Sequence, residues 1–102
     1  MTLAEFQRLI EATYGAKDKA RGLSGTFMWF TEEVGELSRA LRRGERGPKL
    51  EEEFADVLAW LSTLATIANV DLEACAKAKY AKGCPRCHAI PCRCAEPNPA
   101  KA

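Results

Sequence analysis

The sequence predicts an all-α protein, a four-helix bundle carrying a short cysteine-rich tail, on three observations. Apolar residues recur at spacings of three and four through residues 3–82. No stretch alternates apolar and polar residues as a half-buried strand would. Glycine, proline and asparagine gather at 44–48, 69 and 83, where helices should stop. A chain of 102 residues suffices for one hydrophobic core and is too short for two.

The first helix is expected from Leu3 to about Tyr14, with Leu3, Phe6, Ile10 and Thr13 on one face. A charged, glycine-containing loop is expected over Gly15–Gly25, including Asp18, Arg21 and Gly22. The second helix should start near Ser24 or Thr26 and end at Arg43. Phe27, Phe30, Val34, Leu37 and Leu41 form its stripe, and Arg39, Arg42 and Arg43 sit at the negative end of its dipole. After the Gly44–Gly47 linker, Pro48 occupies a first helical position, where its missing N–H costs no bond. The third helix, Pro48 to Ala68, carries Leu50, Phe54, Val57, Leu58, Leu61, Leu64, Ala65 and Ala68. Asp71 reads as the N-cap of a shorter fourth helix reaching Lys82, with Gly83 as its stop and Cys75 as a small core residue. The expected organisation is therefore a helical domain over 1–82, a cysteine tail over 83–95 and a disordered end over 96–102.

Fifteen lysines and arginines against 14 acids leave a net charge of +1, which argues against a general polyanion binder; nucleic acid is not an expected partner. No apolar run approaches the ~20 residues that span a bilayer, and the N-terminus lacks a basic-then-apolar leader. The expectation is a cytoplasmic protein without membrane contact. The apolar stripes are wide for so few helices, and Trp60 lies off the main stripe of its own. A homo-oligomer, dimer or tetramer, is therefore expected.

Two acidic stretches carry the chemistry. Glu32-Glu33-Val34-Gly35-Glu36 and Glu53-Phe54-Ala55-Asp56 each place two carboxylates three residues apart, close to one helical turn. If the second and third helices are antiparallel neighbours, four carboxylates converge, and their repulsion needs a counter-ion. Oxygen-rich sites suit hard cations, Mg²⁺ or Mn²⁺, which bring phosphate groups with them. Glu33 lies between Phe30 and Leu37, and Glu53 between Leu50 and Val57, so both border the apolar stripe. Each stretch alone is explained as blandly by helix-dipole pairing or by a salt bridge on its own helix. Matched spacing on adjacent helices favours the functional reading.

These stretches resemble the MazG-like all-α nucleotide pyrophosphohydrolases, whose motif is Glu-x-x-Glu, a gap, then Glu-x-x-Asp. Here it reads Glu33-x-x-Glu36, sixteen residues, then Glu53-x-x-Asp56, within Phe27–Leu37 and Glu53–Trp60 segments that look like that family's two central helices. The resemblance covers roughly residues 3–82. It implies that Glu33, Glu36, Glu53 and Asp56 hold Mg²⁺, and that a nucleoside triphosphate is split into monophosphate and pyrophosphate, a nucleotide-pool housekeeping reaction. Glu32 is then the candidate to orient or deprotonate the attacking water. Arg21, Lys77 and Lys79 are candidate phosphate contacts, with solvated helix positions as the alternative for both lysines. Trp29, facing away from Phe30, and Phe27 are candidates to stack on a base, although aromatic residues at helical spacing more often belong to a core.

A second signal is Cys84-Pro-Arg-Cys87 followed by Cys92-Arg-Cys94. Two thiolate pairs on tight turns shaped by Pro85 and Pro91 suit tetrahedral, structural Zn²⁺, with His88 a spare ligand. Local disulfides or an unligated tail are the alternatives. The competing functional class is a non-catalytic helical dimer whose zinc knot binds nucleic acid or a protein; another pyrophosphate-containing substrate would also suit the acid site.

Overall fold

In the computed structural model, residues 1–95 are described and contain three helices and no strand: α1 (Leu3–Arg42), α2 (Pro48–Ile67) and α3 (Leu72–Tyr80). The 96–102 tail lies outside the described residues. The count of four is corrected by a fusion at the N-terminus. Residues 15–21, expected as a loop, are helical, because between the glycines lie Ala16-Lys17-Asp18-Lys19-Ala20-Arg21, mostly good helix formers. Only Gly22 departs from helical geometry, at φ 80° and ψ 176°, a conformation open to glycine and strained for other residues. The chain resumes helix directly after it, so α1 is two helical arms meeting at a kink.

Thr2 caps α1 through a reciprocal box that the sequence reading overlooked. The Glu5 N–H donates to Thr2 Oγ1 at 3.0 Å, and the Thr2 N–H donates to Glu5 Oε1 at 2.6 Å. Arg39 and Arg42 lie in the last turn. Pro48 stands at the start of α2, and α2 ends at a cap on Ala68. Helix α3 stops at Tyr80, two residues before the expected Lys82.

The described chain divides into two compact units. The first, Met1–Leu72, is a hairpin of α1 packed on α2; α3 and the cysteine segment belong to the second. Near the open end of the hairpin, Gln7 ties α1 to the turn after α2. Its Nε2 donates to Thr66 Oγ1 and the Val70 carbonyl, and its Oε1 accepts from the Leu72 N–H.

The centre of the hairpin is small and polar. Its buried residues are Ala40 and Ala65 with Asp18, Thr26, Ser62 and Thr63. Small side chains let the two backbones approach closely, but they leave the larger apolar residues outside. Phe27, Leu41 and Phe54 are each 53% exposed and Met28 is 71% exposed. Val34, Leu58 and Leu61 are exposed as well. A two-helix hairpin shields one side of each helix, so much of the expected stripe lacks cover within a single chain. Cys75 is exposed too, instead of lying in a core, for α3 has no buried residue. No single helix among the described residues is long and apolar enough to cross a membrane.

Candidate active site

The hairpin brings the two acidic stretches face to face. Glu33 from α1 and Glu53 and Asp56 from α2 each offer a carboxylate oxygen, all within 4.8 Å of one another. Glu36 stands outside that trio but close enough to act on it electrostatically. Burial pushes the Glu33 carboxyl above its ordinary value of 4.5, and Glu36, Asp56, Glu53 and Glu32 push it further. Burial likewise raises Glu53, followed by repulsion from Glu36, Asp56, Glu45 and Glu52. Glu53 Oε2 is buried without any hydrogen-bond partner. An orphaned carboxylate oxygen amid like charges is costly as it stands, and a divalent cation would satisfy both needs. The donor set therefore fits a hard, oxygen-loving ion. Glu32 is exposed on the neighbouring helical position and is not part of the trio.

Beyond Asp56 the two helices are locked by a buried polar network. Asp18, 6% exposed, accepts from Arg21 Nη1 at 2.8 Å and from Thr63 Oγ1 at 3.1 Å. Arg21 Nη1 also lies 3.4 Å from Thr26 Oγ1, bridging the kink. A Cβ on Gly25 would stand 2.8 Å from Arg21 Cγ, so the absent side chain is what lets the arginine lie there. The guanidinium sits over the Trp60 ring, 4.8 Å from its centroid. Trp60 in turn stacks on Trp29 at 5.9 Å and 13°. Trp60, off the stripe in sequence, and Trp29, partnerless there, are thus each other's partners. Arg21 is helical and paired, not a free loop cation.

Two cavities flank the trio. One of about 360 Å³ is lined by Ile10, Tyr14, Lys17, Asp18, Arg21, Asp56, Ala59, Trp60 and Thr63. Another of about 120 Å³ lies toward the α1–α2 connector, among Glu36, Arg39, Ala40, Arg43, Glu45 and Glu53. Sequence reasoning passed over Tyr14, Lys17 and Thr63. Their signal is the helical spacing Ile10–Tyr14–Lys17–Arg21, hidden once that segment was read partly as loop.

In the second unit, Lys77 pairs with Glu73 at 3.4 Å and Lys79 lies over the Tyr80 ring at 5.5 Å. The four cysteines Cys84, Cys87, Cys92 and Cys94 converge within 4.8 Å, and none is in a disulfide. The Cys84–Cys94 and Cys87–Cys92 sulfurs are 3.6 and 4.0 Å apart. These bracket the edge of a tetrahedron with metal–sulfur bonds of about 2.3 Å, which is ~3.8 Å. The Arg93 and Cys94 N–H groups donate to Cys87 and Cys92 Sγ, each at 3.3 Å. Backbone N–H groups of Cys87 and Arg86 pull the Cys84 thiol down to about 6, while hydrogen bonding to Cys92 and Cys84 pushes Cys94 up to about 12. The four sulfurs together could hold a metal ion. Gly83 closes the knot at φ 95°, where a Cβ would meet Ile90 Cγ1 at 2.5 Å. His88 is outside the ligand group; its N–H donates to the Cys84 carbonyl at 2.7 Å.

An all-α hairpin with a carboxylate trio between its helices defines a helical protein whose oxygen ligands could hold a cation. Residues 22–89, two thirds of the chain, match the family model of the MazG nucleotide pyrophosphohydrolase domain, and the chain belongs to that family. The match begins at the kink, so it includes the acidic helices, Cys84 and Cys87, and stops short of Cys92 and Cys94. No curated protein matches the chain.

Proposed function

We propose that this protein hydrolyses nucleoside triphosphates to nucleoside monophosphate and pyrophosphate with Mg²⁺, or Mn²⁺ in its place, as a nucleotide-pool housekeeping enzyme. The observation that carries the reading is the trio Glu33, Glu53 and Asp56, with Glu53 Oε2 buried and without a hydrogen-bond partner, in a chain of the MazG family. Glu33, Glu53 and Asp56, joined by Glu36, would hold the ion. When bound, Mg²⁺ supplies charge neutralisation on phosphate oxygens and acidifies a coordinated water. The half-buried Glu33 and Glu53 and the exposed Asp56 fix the ion's place between the helices. Glu32, exposed beside Glu33, takes the proton of the attacking water. The water oxygen bonds to the α-phosphorus as the α–β bridging bond breaks, and pyrophosphate leaves.

Two further assignments accompany this reading. The four cysteines hold structural Zn²⁺, because thiolates select it over the hard ions that suit the acid trio. The exposed Leu23, Phe27, Met28, Leu41 and Phe54 are covered by a second copy, making a homodimer or a pair of dimers. No membrane or nucleic-acid partner is required.

The test is pyrophosphate release from a panel of nucleoside triphosphates with and without Mg²⁺, beside Glu53→Gln and Glu32→Gln. Release that needs Mg²⁺ should vanish in Glu53→Gln and fall by roughly 10²–10⁴ in Glu32→Gln, the usual worth of a general base. No release from folded, zinc-loaded protein would sink the reading in favour of another pyrophosphate substrate or a zinc-knot binding module.

A further inference from the structure

The two cavities beside the carboxylate trio differ in size and in lining, and the difference gives the substrate a direction. On α2 the larger cavity is lined from Asp56 to Thr63, two turns or about 10 Å along the helix. Asp56 therefore belongs both to the trio and to one end of that cavity. Its walls are Ile10, Tyr14, Ala59 and Trp60, and its volume of about 360 Å³ falls at the small end of the usual range for small-molecule sites, roughly 300–1,000 Å³. Its charges balance: Lys17 and Arg21 stand against Asp18 and Asp56, and Arg21 is committed to Asp18 and the Trp60 ring. The buried Asp18 carboxylate has each oxygen engaged once, which leaves lone pairs for N–H donors on a ligand.

The smaller cavity is different in kind. At about 120 Å³ it has room for some four water-sized groups, and Ala40 is its one apolar wall. Glu36 and Glu53 reach it from the trio side, where a bound cation would offset part of their charge, and Arg39, Arg43 and Glu45 complete its polar lining. Two guanidiniums in a small polar space suit phosphate oxygens, and nothing there suits an aromatic base.

We propose that the substrate lies along the hairpin, its base and sugar in the Ile10–Tyr14–Ala59–Trp60 cavity and its terminal phosphates at Arg39 and Arg43. This rests on the proposed pyrophosphohydrolase reading and deepens it. It assigns nucleoside binding to the first arm of α1, which lies outside the stretch that matches the family model. Arg39 and Arg43 contact the departing pyrophosphate, and the chain's own two helix faces thereby distinguish the two ends of the substrate.

A double dissociation tests it on the full-length, zinc-loaded protein. Nucleoside monophosphate affinity is measured by calorimetry with Mg²⁺, and KM for the matching triphosphate is measured by pyrophosphate release. Ala59→Phe, which fills the larger cavity, should weaken monophosphate and triphosphate alike by about tenfold or more. Tyr14→Ala, at a half-exposed position, should do the same. Arg39→Gln combined with Arg43→Gln should raise the triphosphate KM about tenfold while monophosphate affinity stays within about twofold. Unchanged monophosphate affinity in both Ala59→Phe and Tyr14→Ala overturns the proposal, as does equal weakening of both ligands by the arginine pair. Wild-type turnover is the separate control: hydrolysis without these splits removes the orientation and leaves the reaction standing, whereas no hydrolysis removes the reaction itself.

Discussion

Asp18→Ala is the sharpest perturbation of the hairpin. It deletes the carboxylate that receives both Arg21 Nη1 and Thr63 Oγ1, at 2.8 and 3.1 Å, in a place where Asp18 and Thr63 are 6% and 5% exposed. Removing one partner of a fully buried ion pair costs about 3–5 kcal/mol. The Arg21 side chain is 24% exposed and regains some water, so its share falls to ~2 kcal/mol. The stranded Thr63 hydroxyl adds ~1 kcal/mol. The expected loss is about 3 kcal/mol, a large part of the roughly 5–15 kcal/mol that holds a domain together. Urea unfolding reads it, at one fixed protein concentration because self-association shifts the midpoint. Thr63→Val should cost ~1 kcal/mol alone, and much less once Asp18 is already alanine, since the two share one contact. A loss under ~1 kcal/mol in Asp18→Ala, or full additivity with Thr63→Val, would refute the network as a stabilising unit.

Three other outcomes follow from the same geometry. Glu33 is raised by burial and then by its acidic neighbours, so the folded, metal-free protein binds more protons than the unfolded chain above pH 4.5. Its stability should fall as pH rises through that value, and Glu33→Gln should unfold at higher temperature than wild type in chelator; a lower midpoint would contradict the repulsion. Zinc released by a mercury thiol reagent should amount to one per chain, and Gly83→Ala should loosen it, because the new Cβ collides with Ile90 and the Ala89 carbonyl; unchanged retention in metal-competition titration would speak against the tight closure. Phe27→Asp should weaken self-association by roughly 30-fold, as loss of a ~2 kcal/mol interface anchor does, read by sedimentation; an undisturbed oligomer would place the interface elsewhere.

Much of this protein can be read without coordinates, because its main signals are local and periodic. Helix α2 follows from five turns of apolar spacing behind Pro48, and the acidic pairs follow from the near-coincidence of three residues with one turn. The cysteine group follows from the crowding of four thiols into eleven positions. The first arm of α1 was half missed because Gly15 and Gly22 look alike as letters; one is helical and the other holds φ 80°. Composition cannot tell a glycine that bends the chain from one that merely lies in it.

The tertiary structure decided what depends on residues far apart. Asp18 and Thr63 meet across 45 positions, and Trp60 stacks on Trp29 from the other helix. The same packing leaves Glu36 outside the trio while leaving Glu53 Oε2 without a partner. Sequence alone determined α2 and most of the other helical turns, the acidic pairs and the thiol cluster, since each is set by neighbours within a turn or two. Which faces are buried, which carboxylates converge and where the cavities open depend on the angle at Gly22 and on the close approach of small side chains. Those are properties of two helices together, and no single stretch of the chain encodes them.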